Sequence, residues 1–160
     1  MKKWFLFLAA SFCLQFSFAQ APTPSERKKL FPTLQLLQVD STTLTSGLLK
    51  RQPTVIMYFS PSCDHCQHQM DDMLAHTKEM KNIQVVLATY QPFDEMVEFH
   101  KKYHIEKHSN YKLGRDVNFI LPPFYDIRNL PFIALYSKEG KLLLSHEGNI
   151  KVEKLLQALK

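Results

Sequence analysis

Two cysteines in Cys63-Asp64-His65-Cys66 are the side chains of this sequence best suited to chemistry. At that spacing on a helix the sulfurs lie one turn apart on one face. A thiol in the first turn faces unpaired backbone N–H groups and the positive end of the helix dipole, which favour its thiolate. The thiolate is the attacking species in disulfide exchange, and a second thiol one turn on can resolve the mixed disulfide and release the partner. Cys63 is then the exposed attacking thiol and Cys66 the more buried resolving one. The same spacing also serves zinc knuckles and haem attachment. Haem attachment wants His directly after the second cysteine, where Gln67 stands, and a structural zinc site wants a second pair of ligands.

Histidines keep a metal alternative open. His65 and His68 flank Cys66, so both cysteines and one imidazole form a donor set for Cu(I) or Zn(II), the equipment of a copper metallochaperone. His100, His104 and His108 recur every four residues, which would stack them on one helix face. His100, however, shares that helix's apolar side, and surface or half-buried histidines are the simpler reading. Met70, Met73 and Met80 fall on an apolar stripe and read as core.

The elements that must position the pair are legible around it. Thr54–Phe59 is a near-continuous apolar, β-branched run, the pattern of a buried central strand. It breaks at Ser60-Pro61-Ser62, where Ser62 is a candidate N-cap. A helix stripe of Met70, Met73, Leu74, Thr77 and Met80 follows. Ile83–Tyr90 is a second buried strand, and Pro92-Phe93-Asp94 opens a helix with Phe93, Met96, Val97, His100 and Tyr103 on one face. Residues 105–121 carry no clear pattern. Phe132–Tyr136, a turn at 137–140 and Lys141–Ser145 make a strand hairpin. Asn149 is a candidate cap for a last helix with Ile150, Val152, Leu155, Leu156 and Leu159 inward. Residues 30–49 read as irregular structure or short edge strands. A βαβ half feeding a ββα half predicts an α/β sandwich, a central sheet flanked by helices.

The first nineteen residues stand apart. Lys2 and Lys3 precede a short apolar run, and Ser17-Phe18-Ala19 places small residues three and one positions before a cut at Gln20, the layout of a secretory signal peptide. The run is short for a spanning helix, so no stable membrane insertion is expected after cleavage; an uncleaved anchor is the alternative. Residues 20–29 read as a flexible lead-in and 30–160 as one domain. Loss of Lys2 and Lys3 lowers the formal charge from +5 to +3, too little to argue for nucleic acid. Cys13 leaves with the signal. A loop as short as the one Cys63 and Cys66 close removes little unfolded-state entropy, so the pair reads as chemistry rather than as a staple. Four scattered glycines write no phosphate loop.

Tyr58-Phe59-Ser60-Pro61-Ser62-Cys63-Asp64-His65-Cys66, with Leu130-Pro131-Phe132 ahead of a hairpin, resembles the thioredoxin superfamily, and most closely the exported TlpA/ResA-like thiol–disulfide oxidoreductases. The resemblance covers roughly residues 50–160. It implies a thioredoxin-like fold for 30–160 and a Cys63/Cys66 pair that cycles between dithiol and disulfide with no organic cofactor and no metal. It also implies a periplasmic or secreted monomer acting on protein thiols and disulfides. By the same resemblance Leu130-Pro131 is a cis-proline element that keeps metals off the thiols, and the Leu130 backbone pairs with an extended substrate.

This chain departs from the family at several points. Ser62 stands where thioredoxins carry an aromatic residue. Met57 and Gln69 occupy the places at which relatives hold a buried acid, and neither can act as a base. His65 resembles the oxidising DsbA-like branch, whereas Asp64 opposes a thiolate by its charge. The family favours a reductant and His65 alone an oxidant, so this pair tunes the potential in a direction the sequence leaves open, with reductant preferred. A peroxiredoxin-like setting wants Thr where Ser60 stands.

Overall fold

The computed structural model describes residues 30–160; the expected signal peptide and lead-in lie outside them. Seven strands form one sheet in the order β2-β1-β5-β4-β3-β6-β7. They are β1 (Gln35–Leu37), β2 (Thr43–Thr45), β3 (Thr54–Tyr58), β4 (Gln84–Thr89), β5 (Tyr111–Arg115), β6 (Phe132–Tyr136) and β7 (Leu142–Glu147). Four helices connect them: α1 (Asp64–Ala75), α2 (Phe93–Lys102), α3 (Leu121–Tyr125) and α4 (Val152–Gln157). β3, β4 and β5 are parallel, β6 runs antiparallel beside β3, and β7 runs antiparallel beside β6.

Every residue of β3, β4 and β6 is buried, which is why these segments read as unbroken apolar runs. Strand alternation divides the core in two. Val55, Met57 and Phe59 pack with Val85, Leu87, Met70, Met73, Met96, Val152 and Leu155 on the face covered by α1, α2 and α4. Ile56, Tyr58, Val86 and Ala88 pack on the other face with α3 and the amino-terminal β1–β2 hairpin.

The structure differs from the sequence reading in detail. α1 stops at Ala75, so Thr77 and Met80 lie in the turns beyond it, Met80 still buried. The buried stripe of α2 is Met96 and Phe99, continued by Tyr103; Val97 and His100 are only half-buried. The patternless stretch hides β5, an interior strand. It carries Gly114 because a Cβ there would lie 2.7 Å from Leu36 Cβ of the crossing hairpin. Residues 30–49 do form two short strands at the edge, as expected.

Candidate active site at the mouth of helix α1

β3 delivers the cysteine pair to the carboxyl end of the parallel strands. Phe59 N–H extends the pairing to Ala88 O at 3.0 Å, and the Ser60–Ser62 turn then closes with Cys63 N–H on Ser60 O at 3.2 Å. The helix begins one residue later than the sequence indicates. Cys63 itself, with extended backbone (φ −82°, ψ 118°), is the N-cap residue of α1, and Gln67 N–H makes the first helical bond to its carbonyl at 3.0 Å. Ser62 does not cap, because its hydroxyl pairs with Ser60 Oγ at 3.2 Å. Cys63 thus stands at the mouth of the helix, at the positive end of its dipole, and its sulfur makes no capping hydrogen bond.

Both cysteines are free thiols, Cys63 half-buried and Cys66 at 0% exposure. Burial pushes the Cys66 thiol up to about 12. The neighbouring Cys63 thiol adds to the rise, and a backbone hydrogen bond from Ser60 opposes it. Two thiols of unlike accessibility thus neighbour each other, Cys63 packing against the core cluster that holds Cys66. Asp64 and His65 are exposed between them, Asp64 in the first turn of α1.

The Leu130–Pro131 peptide is cis, and Pro131 leads into β6, whose first residue Phe132 pairs with Tyr58 at the end of β3. Leu130 is half-buried and touches both core clusters. A cavity of about 540 Å³ adjoins the turn on its other flank, between Pro61, Ser62, Gln67 and the α2 residues Glu95, Glu98, Phe99 and Lys102. Gln67 spans it, donating to Pro61 O at 2.8 Å and accepting from Lys102 Nζ at 2.7 Å.

Gln69 has a role that sequence reasoning missed. Buried at 1% exposure, its amide pairs with one residue twice: Nε2 donates to Ile150 O at 3.0 Å and Oε1 accepts from Ile150 N–H at 2.8 Å. It ties α1 to the segment before α4. The signal was available as a polar side chain adjoining the apolar stripe. Asn149 does not cap α4, whose N-cap is Lys151; its Nδ2 donates to His65 O at 2.7 Å.

The histidines at 100, 104 and 108 do not stack on one helix face, in keeping with the simpler reading of them as surface or half-buried side chains. α2 ends at Lys102 and His104 adopts a left-handed conformation, which turns the chain off the helix axis. His100 and His104 instead face Glu106 at 3.8 and 3.6 Å. Among the described residues no group of three or more His, Cys, Asp or Glu is arranged to hold a metal ion.

A family profile for thioredoxin-like domains matches residues 29–160, and the chain belongs to that family. A comparison with curated proteins found no match. Solved structures share the fold. A candidate thioredoxin from Neisseria meningitidis is 22% identical, with a TM-score of 0.67 over 81% of this chain and 86% of that one. A secreted disulfide oxidoreductase of Mycobacterium tuberculosis, described as homologous to DsbE of E. coli, is 14% identical (TM-score 0.65, covering 83% and 96%). StoA of Bacillus subtilis is 15% identical (TM-score 0.62, covering 81% and 98%). The class is a thioredoxin-like α/β protein that carries two free thiols at the start of its first long helix.

Proposed function

We propose that this protein is an exported thiol–disulfide oxidoreductase whose Cys63/Cys66 pair reduces disulfides of partner proteins. The observation that carries the reading is the pairing of a half-buried free thiol at a helix mouth with a fully buried free thiol one turn on. Cys63, as thiolate, attacks one sulfur of the partner disulfide and forms a mixed disulfide, expelling the first partner thiolate, which takes up a proton. Cys66 then loses its proton and attacks Cys63 Sγ; the second partner thiol leaves. The partner has gained two electrons and two protons, and the pair is left as a disulfide that a donor dithiol must reduce again. Leu130-Pro131 forms the edge along which an extended substrate lies. Asp64 and His65, exposed beside the pair, tune its potential.

Export rests on the basic, apolar and small-residue order of residues 1–19, and one structural neighbour is described as secreted. No helix among the described residues is long and apolar enough to cross a membrane. The proposed division is signal 1–19, lead-in 20–29 and domain 30–160.

The test is the redox equilibrium of the purified protein against glutathione, with Cys63→Ser as control. A two-electron transition that vanishes in the control is expected. A potential close to about −270 mV marks a reductant, and one close to about −120 mV marks an oxidant and overturns the direction proposed. Absence of a reversible transition overturns the enzyme reading.

A further inference from the structure

One four-residue segment, Glu147–Ile150, bonds to both flanks of the cysteine turn. On the proline side, the Glu147 carboxylate accepts from Arg128 N–H and from Asn129 Nδ2, each at 2.8 Å. Gly148 N–H donates to Pro131 O at 2.8 Å. On the helix side, Asn149 Nδ2 donates to His65 O at 2.7 Å, inside the Cys63–Cys66 interval, and Ile150 pairs twice with the Gln69 amide. The first two residues of the segment hold the proline loop, and the next two hold the helix.

His65 O lies in the first turn of α1, within the interval between the two cysteines. Asn149 bonds to this turn from outside the helix, on the flank opposite Lys102, which bonds to Gln67. Asn149 is itself exposed, so it buries little and contributes little to the core.

We propose that Asn149 is a positioning residue for exchange with extended substrates: it sets the cysteine turn against the cis-proline edge, so that a polypeptide seated along Leu130 presents its sulfur to Cys63. The inference rests on the oxidoreductase reading and deepens it. A substrate that touches only the thiol has no use for this alignment, whereas one that touches both flanks depends on it.

The experiment compares two oxidants of the reduced protein: bis(2-hydroxyethyl) disulfide, too small to span both flanks, and a disulfide-linked pair of extended peptides. The quantity read is the ratio of the two second-order rate constants, peptide over small molecule. Asn149→Ala lowers this ratio about fivefold, which is ~1 kcal/mol at 1.36 kcal/mol per tenfold and matches the net worth of one hydrogen bond. Asn149→Asp, of the same size but with no amide donor for the His65 carbonyl, lowers it at least as far. Asn118→Ala, which removes an exposed asparagine bonded to Gln35, leaves it unchanged. Thermal melts establish that all variants are folded under assay. An unchanged ratio in both Asn149 variants overturns the proposal, as does a parallel fall in both rates or an equal fall in Asn118→Ala. If the wild-type protein reacts with neither disulfide, the oxidoreductase reading itself fails.

Discussion

The two faces of the sheet are built from different side chains. The face covered by α1, α2 and α4 holds Met57, Met70, Met73, Met80 and Met96, all at 0% exposure, around Cys66. The opposite face is fastened by tyrosines. Tyr125 and Tyr136 share a hydroxyl–hydroxyl bond at 2.6 Å, Tyr136 also donates to Leu30 O, and Tyr125 packs on Phe132 with ring centroids 4.7 Å apart. That side also has the one buried carboxylate among the described residues, Asp116, which accepts from Ile120 and Leu121 N–H at the start of α3. Unbranched thioethers fill irregular space and repack at low cost, whereas hydroxyl pairs hold one geometry. The thiol that changes its bonding partner in the proposed cycle therefore sits on the pliable face, and the face that anchors the fold stays out of the chemistry.

The methionine face has a consequence for rate, and it is the largest effect expected. Among the described residues, no buried carboxylate or imidazole near Cys66 takes its proton: Met57 is apolar, and the Gln69 amide is spent on Ile150. With the thiol held up to about 12 by burial, its thiolate fraction at neutral pH is small and rises about tenfold per pH unit. Reaction with Ellman's disulfide separates the steps, because attack by Cys63 releases one chromophore and resolution by Cys66 a second. The second phase should accelerate about a hundredfold between about pH 7 and 9. Gln69→Glu, which restores a carboxyl at that place, should speed it at neutral pH. A second phase that is fast and independent of pH would show a proton acceptor and end the contrast between the faces.

Stability distinguishes the faces next. Met70→Ala removes a fully buried side chain and should cost about 2–5 kcal/mol, reduced where neighbouring methionines collapse into the space. Tyr136→Phe removes far less volume but strands the Tyr125 hydroxyl and the Leu30 carbonyl, for about 1–3 kcal/mol. Urea unfolding of each variant measures both. If adding Met73→Ala to Met70→Ala costs much less than the sum of the single variants, the methionine face is pliable; full additivity would argue that it is as rigid as the tyrosine face.

Much of this arrangement was legible in the sequence, and the reasons are local. β3, β4 and β6 announce themselves because strands buried on both faces need uninterrupted apolar residues, and the cysteine turn is marked by the proline and serines that break β3. β5 was not legible: Lys112 faces solvent, and Gly114 is set by the approach of Leu36 from a hairpin seventy-odd residues earlier. The same holds at the site. The Cys63/Cys66 pair is a local motif, whereas the Gln69–Ile150 and Asn149–His65 bonds join residues more than eighty positions apart. Asparagine before an apolar run usually caps a helix, which is what the position of Asn149 suggests. The tertiary contact took its side chain instead, and the cap moved to Lys151.

The smallest expected effect lies where the tyrosine face fails to follow its own rule. Tyr58, at the end of β3, has a buried hydroxyl with no hydrogen-bond partner, and its ring stacks on Tyr90 at 6.3 Å. Burial, with Asp116 nearby, holds its phenol well above the usual range, so the group stays neutral throughout the working pH. An unpaired buried hydroxyl contributes nothing to offset its lost hydration. Tyr58→Phe should therefore leave stability within about 0.5 kcal/mol or raise it slightly, in contrast to the loss from Tyr136→Phe. Urea midpoints for the two variants, measured side by side, make the comparison direct. A loss for Tyr58→Phe as large as that for Tyr136→Phe would mean that an ordered water completes the Tyr58 hydroxyl, and that this face is hydrogen-bonded up to the edge of the active turn.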